Sequence, residues 1–322
     1  MEYSIFYVGQ RPRVLWDTEL HEKNLGFLRG IDASYYSHIS EVHEPLLLGD
    51  SKMQAAAAIR IAYAQGVETL MALACAAMQA PDCILGWMLL YTNSELRGLV
   101  KSVSHGSGAY PVHPWYSPPS WESFASRAFG GAECDGELRA ALERNFGRLW
   151  SRFAADFLDD RQQQEYNSIK HGTRPRLGGF HMSVGPQADA GIPATAESMI
   201  SLGGSDFGST FFVQERVAHS KLHLRPIGVS VNWVPENLVE GLLLLSMSIS
   251  NLVSFLMAQA GEPIEKCPLS MPEDESMYDL PWAKHCGVTN GSFRVNFGPQ
   301  HIADWNEHEL REMIQKRWSS SD

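Results

Sequence analysis

Residue types able to do proton and phosphate chemistry gather at one helix end, Tyr166-Asn-Ser-Ile-Lys-His-Gly172. Helical spacing pairs Asn167 with His171 and Tyr166 with Lys170, each at i,i+4, so the two pairs share the surface of a last turn. A histidine titrates near neutrality and can take or give a proton, while Lys170, Arg174 and Arg176 supply charge for a phosphate. Asn167 is placed to orient the imidazole or a ligand. With His171 as general base, this set suits attack of an RNA 2′-hydroxyl on its own phosphate, with no metal or cofactor. The same residues also fit a plainer rule. Cations near a helix C-terminus complement the exposed carbonyls and the helix dipole.

A second basic stretch runs from Arg216 through Lys221 to Arg225, with His219 and His223 inside it and no acid before Glu236. Together the two stretches predict an anion site made from Lys170, Arg174, Arg176, Lys221 and Arg225. On a helix, His219 and His223 would lie about 5–6 Å apart and could share a zinc ion. On a strand they would lie roughly 13 Å apart, too far for one ion. No H-E-x-x-H or acidic third ligand completes that set, so no metal is expected, with these two histidines as its weak candidates.

Other combinations carry less. His285-Cys286 places a base beside a thiol, yet sequence neighbours seldom face one another. Asp156 and Asp160, at i,i+4, read as a solvated face. Arg60 and Glu68 lie eight residues apart on one otherwise apolar helix. If buried they must find partners, and otherwise they form that helix's exposed polar edge. There is no G-x-S-x-G elbow, no Walker loop and no G-x-G-x-x-G after a strand.

These residues need elements to hold them. From Ser51, apolar residues Ile59, Tyr63, Val67, Leu70, Met71, Ala74 and Met78 recur at helical spacing, and Pro81 ends the run. Asp82 reads as the cap of a short helix through Trp87 and Leu90. Residues 104–120 read as a proline-rich loop. A second long helix is expected from Asp135 to His171, with its stripe at Leu138, Leu142, Phe146, Leu149, Phe153 and Phe157, and Gly172 as its C′ residue. Strands are expected at Ile227–Trp233 and Phe211–Val213, followed by a helix from Pro235 to about Gln259. Asn290-Gly291 reads as a turn before a strand at 293–297, and Asp304 as the cap of a final helix. Residues 1–50 read as short strands and loops.

The expected fold class is α+β: a helix-dominated bundle with a small antiparallel β region. It is read as a single composite domain over 1–322, with a helical core at 51–171, a β-rich segment at 172–233, a buried helix at 234–260, and a hairpin strand and C-terminal helix at 261–322.

The formal charge of -11 argues against bulk electrostatic coating of nucleic acid. Five widely spaced cysteines with no C-x-x-C fit reduced thiols, and the N-terminus lacks a signal peptide's basic start. Both predict a cytoplasmic protein. The charge-free run between Glu240 and Glu262 is long enough to span a bilayer, but its serines and Asn251 favour a helix buried in a soluble core, with no membrane association.

The helix bearing Glu68-Thr-Leu-Met-Ala-Leu, the second long helix and its Asn167-x-x-x-His171 end resemble the HEPN class of bacterial helical proteins, over residues 51–171 at most. That resemblance implies metal-independent RNA cleavage by dimers with composite sites, His171 and Asn167 standing in comparable places. The family's motif Arg, four to six residues before the His, has no counterpart, since Arg161 lies ten positions before His171. Three functions are therefore carried forward. The first is a bacterial-type interaction or scaffold protein on a helical bundle, with a homodimer, RNA or another protein as partner. The second is a HEPN-like ribonuclease, and the third an enzyme binding an anionic small molecule.

Overall fold

A computed structural model describes residues 1–132, 134–170, 174–187, 189–217, 222–294 and 305–319. It is α+β and helix-dominated, 57% helix and 16% strand. In chain order the strands and helices are β1 (Glu2–Val8), β2 (Arg11–Asp17), α1 (Leu20–Arg29), α2 (Ser34–His43), α3 (Lys52–Gln79), α4 (Ile84–Leu90), α5 (Asn93–Ser104), α6 (Trp121–Phe129), α7 (Gly136–Leu158) and α8 (Asp160–Lys170). There follow β3 (Arg176–Leu177), β4 (His181–Val184), β5 (Ile200–Gly204), β6 (Gly208–Arg216), β7 (Leu224–Asn232), α9 (Pro235–Gln259), β8 (Asn290–Phe293) and α10 (Glu307–Ser319). The chain divides into two compact units: Met1–Asn167 with Val234–His285, and Ser168–Trp233 with Cys286–Asp322.

The first unit is built on α3 and α9. All seven stripe residues of α3, from Ile59 to Met78, are buried. Two glycines set how closely the helices approach. A Cβ on Gly66 would meet Leu245 and Tyr36 at 3.1 Å, and one on Gly241 would meet the Tyr63 ring at 2.5 Å. Both helices are long and apolar enough to cross a membrane. Much of their apolar surface nevertheless packs inside the unit, and two polar residues of α9, Asn251 and Ser254, are met by protein. Asn251 exchanges bonds with the Ser270 backbone, donating from Nδ2 at 2.7 Å and accepting on Oδ1 at 2.6 Å, while Ser254 donates to the Pro268 carbonyl at 2.7 Å.

The long helix expected over 135–171 is two helices. The chain leaves helical geometry at Asp159 (φ -66, ψ 119), whose carboxylate accepts from the backbone N–H groups of Arg161 and Gln162 at 2.8 and 3.0 Å. Asp159 is thus a start signal hidden inside an apolar period. Arg97 fixes the joint from α5 by donating to the carbonyls of Phe157 and Leu158 and to Asp160. Helices α1 and α2 also arise where short strands and loops were expected.

The second unit holds a four-stranded antiparallel sheet, β3-β6-β7-β8, and the β4-β5 pair. Phe211, Ile227 and Val229 bury one of the larger sheet's faces. Asn290-Gly291 lies within β8, paired with Val231 and Ser230, and does not form a turn ahead of a strand. The remainder of the strand expected at 293–297 falls on 295–297, outside the described residues. Asn306 caps α10 in a reciprocal box with Glu309, and the expected cap Asp304 also lies outside the described residues.

Candidate functional site

Helix α8 is fastened to α3 at two points. Glu165, fully buried, accepts from Arg60 Nε at 2.9 Å and Nη2 at 2.7 Å, and Gln162 accepts from Nη1 at 3.4 Å. Burial disfavours the Arg60 guanidinium, but the carboxylate facing it prevails and holds its pKa above the ordinary value. One residue further along α8, the Tyr166 hydroxyl donates to Glu68. Burial first, and then the Glu68 carboxylate, push the Tyr166 hydroxyl up, so it stays a donor. Arg60 and Glu68 are therefore partnered clamps between helices and not a free polar edge.

Next to this clamp the reading of Asp156 and Asp160 as one solvated face fails for the first of them. Asp160 is exposed, whereas Asp156 turns inward and accepts from Tyr63 Oη at 2.5 Å, Trp282 Nε1 at 3.2 Å and Gln162 Nε2 at 3.4 Å. Burial raises the carboxyl's pKa and these bonds oppose the rise. The signal was available in sequence: Asp156 lies three residues after Phe153, on the apolar stripe of α7.

Of the residues expected to do chemistry, Asn167 and Lys170 are exposed on α8. The Asn167 amide makes no hydrogen bond among the described residues. Arg174 is exposed, and its backbone N–H donates to the Ser168 carbonyl at 3.1 Å. His171, Lys221 and His219 lie outside the described residues. Arg176 pairs with Thr210, and Arg225 with Glu215. By that register the two arginines stand on opposite faces of the sheet, roughly 17 Å apart along β6. Arg225 is ion-paired with Glu215, as is Arg294 at 3.5 Å. His223 Nε2 accepts from the Trp305 backbone N–H at 3.4 Å. Among the described residues no three His, Cys, Asp or Glu side chains converge on a metal-sized site. Cys75, Cys83 and Cys267 are buried free thiols, and the Cys286 thiol faces the Val288 carbonyl within its own turn.

A different surface was missed in the sequence. In the β1–β2 hairpin, register sets Tyr3 opposite Trp16, Ile5 opposite Val14, and Tyr7 opposite Pro12. Side chains alternate across a strand, so these six share one face. That face is open: Ile5 is 70% exposed, Tyr3 58% and Trp16 56%. The Tyr3 and Trp16 rings lie 4.8 Å apart. The opposite face buries Phe6 and Val8. Gln79, at the end of α3, holds the hairpin in place. Its buried carboxamide accepts from Gly9 N–H at 2.9 Å and from Trp87 Nε1 at 3.0 Å, and donates to the Gly9 and Pro111 carbonyls at 2.7 Å each. Gly9 has φ +62, the left-handed turn geometry that glycine adopts without strain. The alternation of Tyr3, Ile5 and Tyr7 was visible, but which face was buried depended on Gln79, seventy residues away.

No known family's sequence pattern matches the chain, and no curated protein or solved structure is significantly similar to it.

Proposed function

We propose that the protein is an interaction protein whose helical core displays the β1–β2 hairpin to a partner, the partner being a second copy of the chain. One observation carries this reading: six apolar residues aligned on a single open face of a hairpin that is itself rigidly anchored. Folding leaves that surface in water, and association is what removes it. A flat apolar ladder is self-complementary under a two-fold axis, so two copies can meet through the same patch. The Tyr3–Trp16 pair supplies the aromatic area that dominates interface energetics. Cross-linking through a cysteine placed at Pro12, at the edge of the open face, with a monomeric product at every concentration, would overturn the homodimer. A cross-linked dimer lost on Ile5→Ser would support it.

A second reading is catalytic, and the exposed amide of Asn167, without a hydrogen bond among the described residues, favours it. A metal-independent ribonuclease of the kind the HEPN resemblance implies would need such a residue to orient its base or substrate. Incubation with structured RNA in excess EDTA tests it. Cleavage abolished by His171→Ala supports this reading, and equal products from both proteins dismiss it.

A further inference from the structure

A cavity of about 560 Å³ opens between the C-terminal end of α9 and the loops after α6 and α9. Its walls are largely apolar, with Phe255, Ile264 and Leu269 among them, and Arg127 and Glu265 bring opposite charges to the exposed rim. Arg127 is held there over the Trp115 ring, 4.3 Å from its centroid. Ser254 also lines the space, but its hydroxyl is committed to the Pro268 carbonyl. Gln259 differs from all of these. Both its Oε1 and Nε2 are buried, and neither has a hydrogen-bond partner among the described residues.

That orphaned carboxamide contrasts with Gln79, whose amide atoms make four hydrogen bonds to protein. Buried polar groups are almost always satisfied, and one that is not calls for an explanation. A carboxamide offers one acceptor beside donors, and its natural complement is another amide edge, an N–H next to a C=O in one plane. The volume lies within the roughly 300–1,000 Å³ range of small-molecule sites, and apolar walls with few polar groups are their usual lining.

We propose that this cavity binds a small planar molecule carrying a lactam-type edge, its ring against Phe255, Ile264 and Leu269 and its N–H and C=O paired with Gln259. Nucleobases and aromatic lactams share that edge. The site is independent of the hairpin and of the α8 helix end. A side-chain rotation of Gln259 on ligand entry completes the pair.

The test uses the full chain with 2-quinolone, which has the edge, and naphthalene, which has the same shape without it. Binding is followed by NMR titration. Wild type should bind 2-quinolone at least about tenfold more tightly than naphthalene. Gln259→Leu, which removes the amide and keeps the volume, should bring the two ligands to within about twofold. Leu269→Arg, at an exposed wall position, should abolish saturation by either while the circular dichroism spectrum is unchanged. Adding uracil as a third ligand then separates nucleobase from lactam preference. The proposal is overturned if 2-quinolone does not saturate wild type, or if its preference over naphthalene survives in Gln259→Leu.

Discussion

The α3–α9 pair and the β1–β2 hairpin are both rich in apolar side chains and treat them in opposite ways. In the helix pair, Leu70, Leu73, Leu242, Leu245 and Leu252 are almost wholly buried, and two polar residues of α9, Asn251 and Ser254, are bonded to neighbouring backbone. In the hairpin, Phe6 and Val8 of one face are buried as completely, yet Tyr3, Ile5 and Trp16 stay more than half exposed on the other. The helix pair's apolar surface is consumed by folding. The hairpin's outer face contributes little to folding and is available for association. Apolar content alone does not separate these roles, whereas burial in the folded chain does.

Substitutions can break that contrast, and the largest effect falls inside the core. Glu165→Ala leaves the Arg60 guanidinium buried without its carboxylate and should cost about 3–5 kcal/mol of stability in urea denaturation. Leu73→Ala, at a fully buried position of α3, should cost about 2–5 kcal/mol by transfer and cavity terms. Should either cost under about 1 kcal/mol, the core described here is not what holds the fold. Gln79→Ala leaves the Gly9 and Pro111 backbone groups unpaired and should cost about 1–3 kcal/mol. Its sharper signature is faster amide exchange at Gly9, with the α3–α9 amides still protected.

A smaller effect concerns pH. The folded chain holds the Asp156 proton more tightly than the unfolded chain does, because burial raises this carboxyl's pKa. The stability this contributes is fully present below the ordinary carboxylate pKa and is lost as pH rises through the raised folded value. Asp156→Asn should therefore flatten the fall in stability across that window. An unchanged slope in pH-dependent urea denaturation would show that Asp156 is not the group responsible. The smallest effect on stability belongs to the hairpin, where Ile5→Ser with Trp16→Ser should change it by less than about 1 kcal/mol.

Much of this contrast could be read from the sequence. The period of α3 identified its buried face, the start of α9 at Pro235 was marked by the residue itself, and the alternation in β7 placed that strand. Long-range partners were not legible in this way. Asp159 interrupts a helix that its apolar stripe would continue, because the cap bonds to Arg161 and Gln162 outweigh periodicity locally. Arg60 and Glu68 gave no hint of their partners, since Glu165 and Tyr166 come from a helix about a hundred residues later. The exposed ladder looked like any half-buried strand pair. Only the Gln79 anchor fixes which side of it meets the core.

The most direct test of the interaction reading is sedimentation velocity over a concentration series, with wild type and the Ile5→Ser/Trp16→Ser double variant compared. Wild type should shift from monomer to dimer as concentration rises, while the double variant, equally stable, stays monomeric at least about tenfold further up the series. Superimposable profiles for the two proteins would contradict it.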